Sequence, residues 1–296
     1  MGMLLFVWIV CIYRLTQPSL HYHAVQTRTT NHTKLLRTHN YINLNDRETL
    51  QHVLVLTHLQ NDEMYLENYF KLLDKSSYAN KLISIGLLVS DSTDTTLTTV
   101  YQQVDRLQNR WRNQFHSIDV YQKDFGFHTI VDLDTKRSAT LAKAKNFLLS
   151  TTLKEYHDWV VWVDVKLHSY PKNIFNDLMS VDVDIIVPNC LKKRDDGIVQ
   201  GYDMNNWQES DQSLRYQQKV PLNQLVDMTT VINYDKVPLD GVGATFTMVK
   251  ATVHREGAVF PPFVYQHELD TEGFAKMAKS MGFSVYGIPA YTIYHF

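Results

Sequence analysis

Residues Trp159–Pro171 read WVVWVDVKLHSYP. The run Trp159–Val163 is aromatic and β-branched, as in a strand that is buried on both faces of a sheet. Asp164 follows directly, at the sheet edge where ligands of open α/β sheets bind. A carboxylate there can meet a cation or a ribose hydroxyl, and its alternative role is to cap the next turn. Lys166 then places a positive charge two residues further on.

Strand and helix patterns alternate on both sides of this stretch. The β-rich runs are HVLVLTHL (52–59), KLISIGLLVSD (81–91), HSIDVYQKDF (116–125) and VDIIVPN (183–189). Between the first two, the spacing of Leu66, Tyr69, Phe70 and Leu73 predicts an amphipathic helix, capped near Asn61 or Asp62. Alternation of this kind predicts an α/β fold with a mainly parallel sheet that helices cover on both faces.

The length and the net charge of the chain limit the classes of function that it can have. The chain has 296 residues, of which 44% are hydrophobic, enough for a sizeable core. A formal net charge of -2 creates no overall field that would attract nucleic acid. Charge for binding a phosphate must therefore be local.

The first fifty residues differ from the rest. The apolar run Met3–Tyr13 is shorter than the roughly 20 residues that cross a bilayer. It fits a signal-peptide core, a short signal anchor within residues 1–15, or a buried strand. Residues 16–50 are polar and without periodicity, as in a stem, and contain a glycosylation sequon at Asn31. Residues 51–296 are predicted to form the folded domain.

Further acidic residues stand at the ends of predicted elements. Asp91 follows a strand and can recognise a base or ribose, or cap the next helix. Asp203 and Asp240 lie beside flexible backbone, while Asp270 and Glu272 begin a predicted helix, where the helix dipole favours acids in any case.

Basic and aromatic residues add less specific signals. Lys136 and Lys143 share a face of the predicted helix in DTKRSATLAKAKNFLL (134–149), and Lys136, Arg137 or Lys143 can face a phosphate or simply solvent. Trp159 and Trp162 are expected in the core. His254 is expected to be structural.

Several motifs together carry a family resemblance. WVVWVD (159–164), VPLDGVGATFTMVKATVHREGAVFPPF (237–263), DTEGFAKMAKSMGFSVYGIPAY (270–291) and the final YHF resemble the fungal Golgi mannan polymerase subunits, glycosyltransferase family sixty-two. The resemblance is collinear from His52 to the last residue, and it is most specific from Val237 to His295.

This resemblance implies a fold and an activity. The implied fold for residues 51–296 is GT-A, with a Rossmann-like, mainly parallel nucleotide half and a mixed acceptor half. The implied protein is a type II Golgi membrane protein with a luminal catalytic domain, anchored through its N-terminal segment. It would transfer mannose from GDP-mannose, with Mn²⁺ or another divalent cation, onto α-mannan or N-glycan acceptors with retention, in a hetero-complex of related subunits.

The resemblance also implies roles for particular residues. Asp164, Asp203 and His295 are implied as metal ligands. Asp164 is also implied at the donor, where Asp91, Lys143 and Lys166 are candidates from their own positions in the sequence. Asp240, Asp270 and Glu272 are implied at the acceptor or the reaction centre, where a carboxylate can orient or deprotonate the attacking hydroxyl.

Lys166 is where the chain departs from the family's Asp-x-Asp pattern, because the second carboxylate is replaced by an ammonium. Three interpretations stay open. Lys166 replaces the cation at the diphosphate; the metal is kept by Asp164, Asp203 and His295; or metal binding is lost and the chain is a non-catalytic scaffold subunit. A glycoside hydrolase is a remote further alternative.

Overall fold

The computed structural model describes residues 50–127, 134–209, 219–224 and 236–296. The predicted apolar segment 1–15, the sequon at Asn31 and the predicted stem, apart from Leu50, lie outside these residues. Within the described ranges, no helix combines the length and apolar character needed to cross a membrane.

Strands and helices alternate through the first half of the folded region. The elements are β1 (Val53–Leu59), α1 (Glu63–Asp74), β2 (Ile83–Val89), α2 (Thr96–Gln108), β3 (Ser117–Gln122), α3 (Asp134–Thr152) and β4 (Trp159–Val163). β1 pairs in parallel with both β2 and β4, and β2 pairs in parallel with β3. This half is the predicted parallel sheet.

The second half is mixed. Its elements are β5 (Leu167–Ser169), α4 (Ile174–Met179), β6 (Ile185–Lys193), β7 (Val199–Gly201), β8 (Trp207–Glu209), β9 (Lys219–Pro221), β10 (Val237–Pro238), β11 (Phe246–Lys250), α5 (Ala251–Arg255), α6 (Asp270–Ser280) and β12 (Val285–His295). β11 lies between β4 and β6 and is antiparallel to both, whereas β12 is parallel to β6.

The main sheet runs in the order β10-β12-β6-β11-β4-β1-β2-β3 among the described strands, with β5 beside β12 and β7 beside β6. Successive residues of β1 point to opposite faces: Val53 and Val55 pack in one core, and Leu54 and Leu56 in the other. Both faces are covered, so the first four residues of β1 are apolar on either side.

The predicted helix spacing is confirmed in α1, where Leu66, Tyr69, Phe70 and Leu73 are the buried residues. Asp62 precedes this helix but makes no side-chain capping hydrogen bond. Trp159 and Trp162 are buried in the core, as predicted.

Two residues of α1 test this packing. Leu66 is fully buried whereas Met64 is 79% exposed. Leu66→Ala should lower the free energy of unfolding by about 2–5 kcal/mol, because it removes buried methyl groups and leaves a cavity. Met64→Ala is the control and should change it by less than about 0.5 kcal/mol. Urea unfolding of the full chain measures both, and equal effects would contradict the assigned helix faces.

His254 in α5 is structural, as predicted. Its ring is buried and stacks on Phe274 at 5.1 Å between centroids, and its Nδ1 lies 2.9 Å from the carbonyl oxygen of Ala258. Burial lowers the pKa of His254 from 6.5 to about 4, although the contact with Ala258 acts to raise it.

This pKa gives His254 a predictable effect on stability. Between pH 6.5 and pH 4 the unfolded chain binds a proton that the folded chain does not, so stability falls as the solution is acidified. His254→Gln should weaken that fall by up to about 1.4 kcal/mol per pH unit. The measurement is the free energy of unfolding of both proteins at pH 7 and pH 5, and an unchanged difference between the two pH values would refute it.

Candidate functional site

A cavity of about 300 Å³ opens where β1 and β4 end, and α3 forms one of its walls. Its charged lining consists of three cations and two carboxylates: Arg137, Lys145, Lys166, Asp62 and Asp164. These charges leave one net positive charge in the cavity, which suits an anionic ligand such as a diphosphate.

The remaining walls come from the same strands and helix. Leu56, Leu141 and Trp162 supply apolar surface, and His58 lies at the end of β1. Nε2 of His58 is 2.5 Å from Oγ of Ser90. Burial, helped by the neighbouring Lys145, lowers the pKa of His58 to about 4, so the ring is neutral near pH 7.

Asp164 is fixed through both its backbone and its side chain. Its amide donates to the carbonyl of Thr245 at 2.9 Å, and its Oδ1 accepts from the amide of Lys166 at 2.9 Å. Its Oδ2 lies 3.6 Å from Nε2 of His295. Burial acts to raise the pKa of Asp164, but His295 and the Lys166 amide outweigh it, so the pKa lies below its ordinary value and the carboxylate is ionised.

Lys166 turns towards Asp62 and forms an ion pair with it. Its Nζ is 3.2 Å from Oδ1 of Asp62 and 5.8 Å from the ring centroid of Tyr65, and its side chain is 41% exposed. Burial raises the pKa of Asp62, against the opposing effects of the Gln60 amide and Lys166. The ammonium that replaces the family's second carboxylate therefore has a carboxylate partner of its own.

The three predicted metal ligands are only partly brought together. Asp164 and His295 meet, and Nε2 of His295 is buried without a hydrogen-bond partner. Asp203 is instead held by Thr245, whose Oγ1 and amide donate to Oδ2 at 2.5 and 3.2 Å. Burial and the charge of Asp164 raise the pKa of Asp203, although the hydrogen bonds from Thr245 oppose this.

Within the described ranges, no three histidine, cysteine or acidic side chains lie together so that they could hold a metal ion. Asp164 and His295 nevertheless fit a divalent cation as a pair of ligands, because an ionised carboxylate oxygen and a buried imidazole nitrogen without a hydrogen-bond partner face each other. A diphosphate ligand would supply further oxygens.

The side chain of Asp91 is hydrogen-bonded to main-chain amides. Its carboxylate accepts hydrogen bonds from the amides of Phe125, Gly126 and Phe127 at 2.8, 3.0 and 3.1 Å, and thereby fixes the segment that follows β3. The N-cap position of α2 is Thr95. Asp91 thus shapes the loop near the cavity, and its oxygens are already bonded to main chain.

The cavity face of α3 differs from the predicted one. Lys143 is exposed and lies outside the cavity lining, as does Lys136. The lining residues are Arg137, Leu141 and Lys145, four residues apart, which place one face of the helix against the cavity. A four-residue spacing of two cations around a leucine is the signal that could have identified Lys145.

Lys145 connects the cavity to α6. It is buried, and its Nζ lies 2.5 Å from Oδ2 of Asp270. Asp270, predicted at the reaction centre, does not line the cavity and contacts it through this lysine. Its Oδ1 is buried without a hydrogen-bond partner.

Asp240 and Glu272 lie outside the cavity lining, in contacts between α6 and the segment around β8 and β9. Asp240 pairs with Lys279 and accepts from the amide of Glu209 at 2.8 Å. Glu272 accepts from Nε1 of Trp207 at 2.5 Å and from Nζ of Lys219 at 2.9 Å.

His58, Asp62 and Lys145 are site residues that the sequence reasoning missed. The signal for His58 and Asp62 resembles that of Asp164, since His58 lies near the end of the apolar strand β1 and Asp62 follows that strand. The sequence pattern assigns Asp62 only a capping role at the start of α1, whereas the structure places it in the cavity lining.

The chain matches known proteins over most of its length. The Anp1 family model matches residues 29–264. The mannan polymerase II complex anp1 subunit of Schizosaccharomyces pombe is 35% identical over 279 residues, which cover 84% of this chain and 65% of that relative. The mannan polymerase II complex ANP1 subunit of Saccharomyces cerevisiae is 31% identical over 276 residues, covering 82% and 54%. The chain thus spans between about half and two thirds of the length of these relatives.

Among solved structures, a mannosyltransferase from Pyrobaculum calidifontis, in complex with GDP-Man and Mn²⁺, aligns with a TM-score of 0.50. The alignment covers 82% of this chain and 56% of that one at 14% identity, so the likeness concerns the fold alone. Together with the mixed, mostly parallel sheet, it confirms the predicted GT-A fold.

The pair of lysines in α3 offers a matched test of the site. Lys145→Met leaves the buried carboxylate of Asp270 without its partner and should lower the free energy of unfolding by about 3 kcal/mol. Lys143→Met, two residues away on an exposed position, should change it by less than about 0.5 kcal/mol. Urea unfolding compares the two, and a small loss for Lys145→Met would show that the buried pair contributes little.

Proposed function

The chain belongs to the Anp1 family, which includes yeast mannan polymerase subunits, and from this membership we propose that it is a GDP-mannose-dependent α-mannosyltransferase. The resemblance read from the sequence is confirmed at the level of the family. The proposed reaction transfers mannose, with retention, to an α-mannan or N-glycan acceptor. The proposed setting is a hetero-complex of related subunits at the Golgi membrane, with the N-terminal segment as anchor.

The observation that carries the proposal is the charge of the cavity beside Asp164. Arg137, Lys145 and Lys166 can neutralise a nucleoside diphosphate, which is the leaving group of the reaction. The cations reach the cavity from α3 and from the end of β4, so they can contact phosphate oxygens from two sides. Leu56, Leu141 and Trp162 supply the apolar surface against which such a ligand can pack.

Asp164 and His295 would hold a divalent cation such as Mn²⁺. The cation would act as a Lewis acid that offsets the charge developing on the departing diphosphate. Asp203 has a different role in this proposal: its Oδ2 accepts hydrogen bonds from the hydroxyl and amide of Thr245, and it thereby positions the start of β11 beside Asp164.

The ion pair with Asp62 favours a combination of the first two interpretations of Lys166, in which the ammonium contacts phosphate and the metal is kept as well. Asp62 offsets the positive charge that Lys166 brings near a dication, so the two cations can act at one diphosphate. Among the carboxylates proposed for the acceptor side, Asp270 contacts a residue of the cavity lining, and it positions Lys145 through their ion pair.

The second candidate function is a non-catalytic subunit that organises a related transferase. It is favoured by the replacement of the second Asp-x-Asp carboxylate with Lys166 and by the absence, within the described part of the chain, of a three-residue metal cluster. The two candidates differ in whether the chain binds and turns over GDP-mannose.

Donor binding and turnover separate the candidates. GDP-mannose is titrated calorimetrically into the full chain with and without Mn²⁺, and transfer to an α-linked mannotriose is measured in parallel. Asp164→Asn should weaken the Mn²⁺-dependent part of binding and lower kcat/KM by about 100-fold or more, because it removes an ionised oxygen at the metal and the leaving group. Asp182→Asn is the control, since that side chain is 90% exposed and does not line the cavity.

The outcomes assign the role of Lys166 as well. Lys166→Met should weaken GDP-mannose binding both with and without Mn²⁺ if the ammonium contacts phosphate. If the unaltered chain binds no GDP-mannose under either condition, the enzyme proposal fails and the scaffold function replaces it. Turnover that Asp164→Asn leaves unchanged would also overturn the assignment of the active site.

A further inference from the structure

Aromatic side chains gather beside Asp164, on the side of His295 and Lys166. We call the group Tyr65, His168, Tyr202 and Phe296 the aromatic shelf. The Tyr202 ring stacks on His295 at 3.7 Å between centroids, with 16° between the planes. The Phe296 ring lies 5.4 Å from Tyr65 and 4.8 Å from His168. None of these four side chains lines the donor cavity.

The rings of the shelf are fixed in place but retain open surface. Tyr202 is 37% exposed and Phe296 is 42% exposed, and His168 is exposed as well. Lys192 lies 5.7 Å from the Tyr202 ring centroid, and the amide of Phe296 donates to the carbonyl of Lys166 at 3.2 Å. Large apolar side chains that stay exposed in a patch next to a site mark a binding surface rather than a core defect.

The composition of the shelf fits a carbohydrate. A pyranose presents C–H groups on a face and hydroxyl groups at its edge, so it needs flat rings flanked by hydrogen-bonding groups. The phenol of Tyr202 offers a hydroxyl group that can donate a hydrogen bond to a sugar hydroxyl. His168, Lys166 and Lys192 add polar edges. An interface with a protein partner would instead favour a broader apolar centre.

The position of the shelf relates it to the reaction. His295 contacts Asp164 on one side and Tyr202 on the other, and Lys166 lies both at the cavity and at Tyr65. A sugar resting on Tyr202 would therefore be next to the residues assigned to the donor diphosphate. Resting on the function proposed above, we propose that the aromatic shelf binds a mannose unit of the acceptor glycan, with Tyr202 as its main stacking surface.

The test measures glycan binding without requiring catalysis. An α-linked mannotriose is titrated into the full chain by saturation-transfer NMR, alone and with GDP and Mn²⁺. Tyr202→Leu should weaken binding of the mannotriose by about tenfold, because it removes the ring while keeping an apolar side chain. Tyr202→Phe keeps the ring and should stay within about threefold of the unaltered chain.

Two further variants test whether a loss of mannotriose binding is specific to the aromatic shelf. Tyr101→Leu is the matched control, since Tyr101 is 53% exposed on α2, away from the cavity lining, and it should leave mannotriose binding unchanged. Phe296→Leu tests the shelf independently of Tyr202 and should also weaken mannotriose binding. It keeps the inference testable if Tyr202→Leu fails to fold. GDP-mannose affinity, measured in each variant, shows whether the stack on His295 has been disturbed.

The outcomes separate this inference from the proposed function. Mannotriose binding that depends on Tyr202 in a chain that binds no GDP-mannose would support the shelf and refute the enzyme. GDP-mannose binding together with mannotriose affinity that neither Tyr202→Leu nor Phe296→Leu changes would refute the shelf alone. If these variants lose association with a related Anp1-family subunit while mannotriose affinity is unchanged, the shelf is a protein interface and the inference is wrong.

Discussion

The hydrogen bond from the amide of Asp164 to the carbonyl of Thr245 determines where the site is built. β11 runs against β4, with Phe246 opposite Val163, so the start of β11 lies beside the end of β4. Thr245, directly before β11, can then bond Asp164 through its carbonyl and Asp203 through its hydroxyl. An antiparallel strand in an otherwise mostly parallel sheet therefore brings two distant carboxylates to one edge. His295, at the end of β12, reaches the same edge because β12 follows β6 in parallel.

Paired charge is the second constraint on the site. Lys166 pairs with Asp62 and Lys145 with Asp270, so these two cations are oriented before a ligand arrives. Such pairing reduces the penalty for holding charge at a partly buried site, and it limits how strongly each cation attracts an anion. Arg137, which is exposed, is the third cation, so the cavity lining carries one more positive than negative charge. A diphosphate would thus meet preorganised cations whose partners are themselves held by the fold.

Local sequence patterns were sufficient to predict the helices and strands, but they did not predict most of the side-chain contacts. Helix α1 and the strand that ends at Asp164 were predicted correctly because 3.6-residue periodicity and continuous apolar runs are local signals. The prediction that grouped Lys143 with Lys136 used a seven-residue spacing, whereas the cavity contacts the face marked by Arg137 and Lys145. Periodicity shows which residues share a face, but which face meets the cavity depends on how α3 packs on β1 and β2.

The sequence by itself determined the α/β class, the family and the position of Asp164 at a sheet edge, because these follow from apolar patterns and motifs that are contiguous in the chain. Only the tertiary structure decided the partners of the charges. Asp62 and Lys166 are more than a hundred residues apart, as are Lys145 and Asp270, and both pairs form where elements distant in sequence pack together. A carboxylate takes its role from what lies within a few ångströms of it, and at that range the neighbours are set by strand order and helix packing.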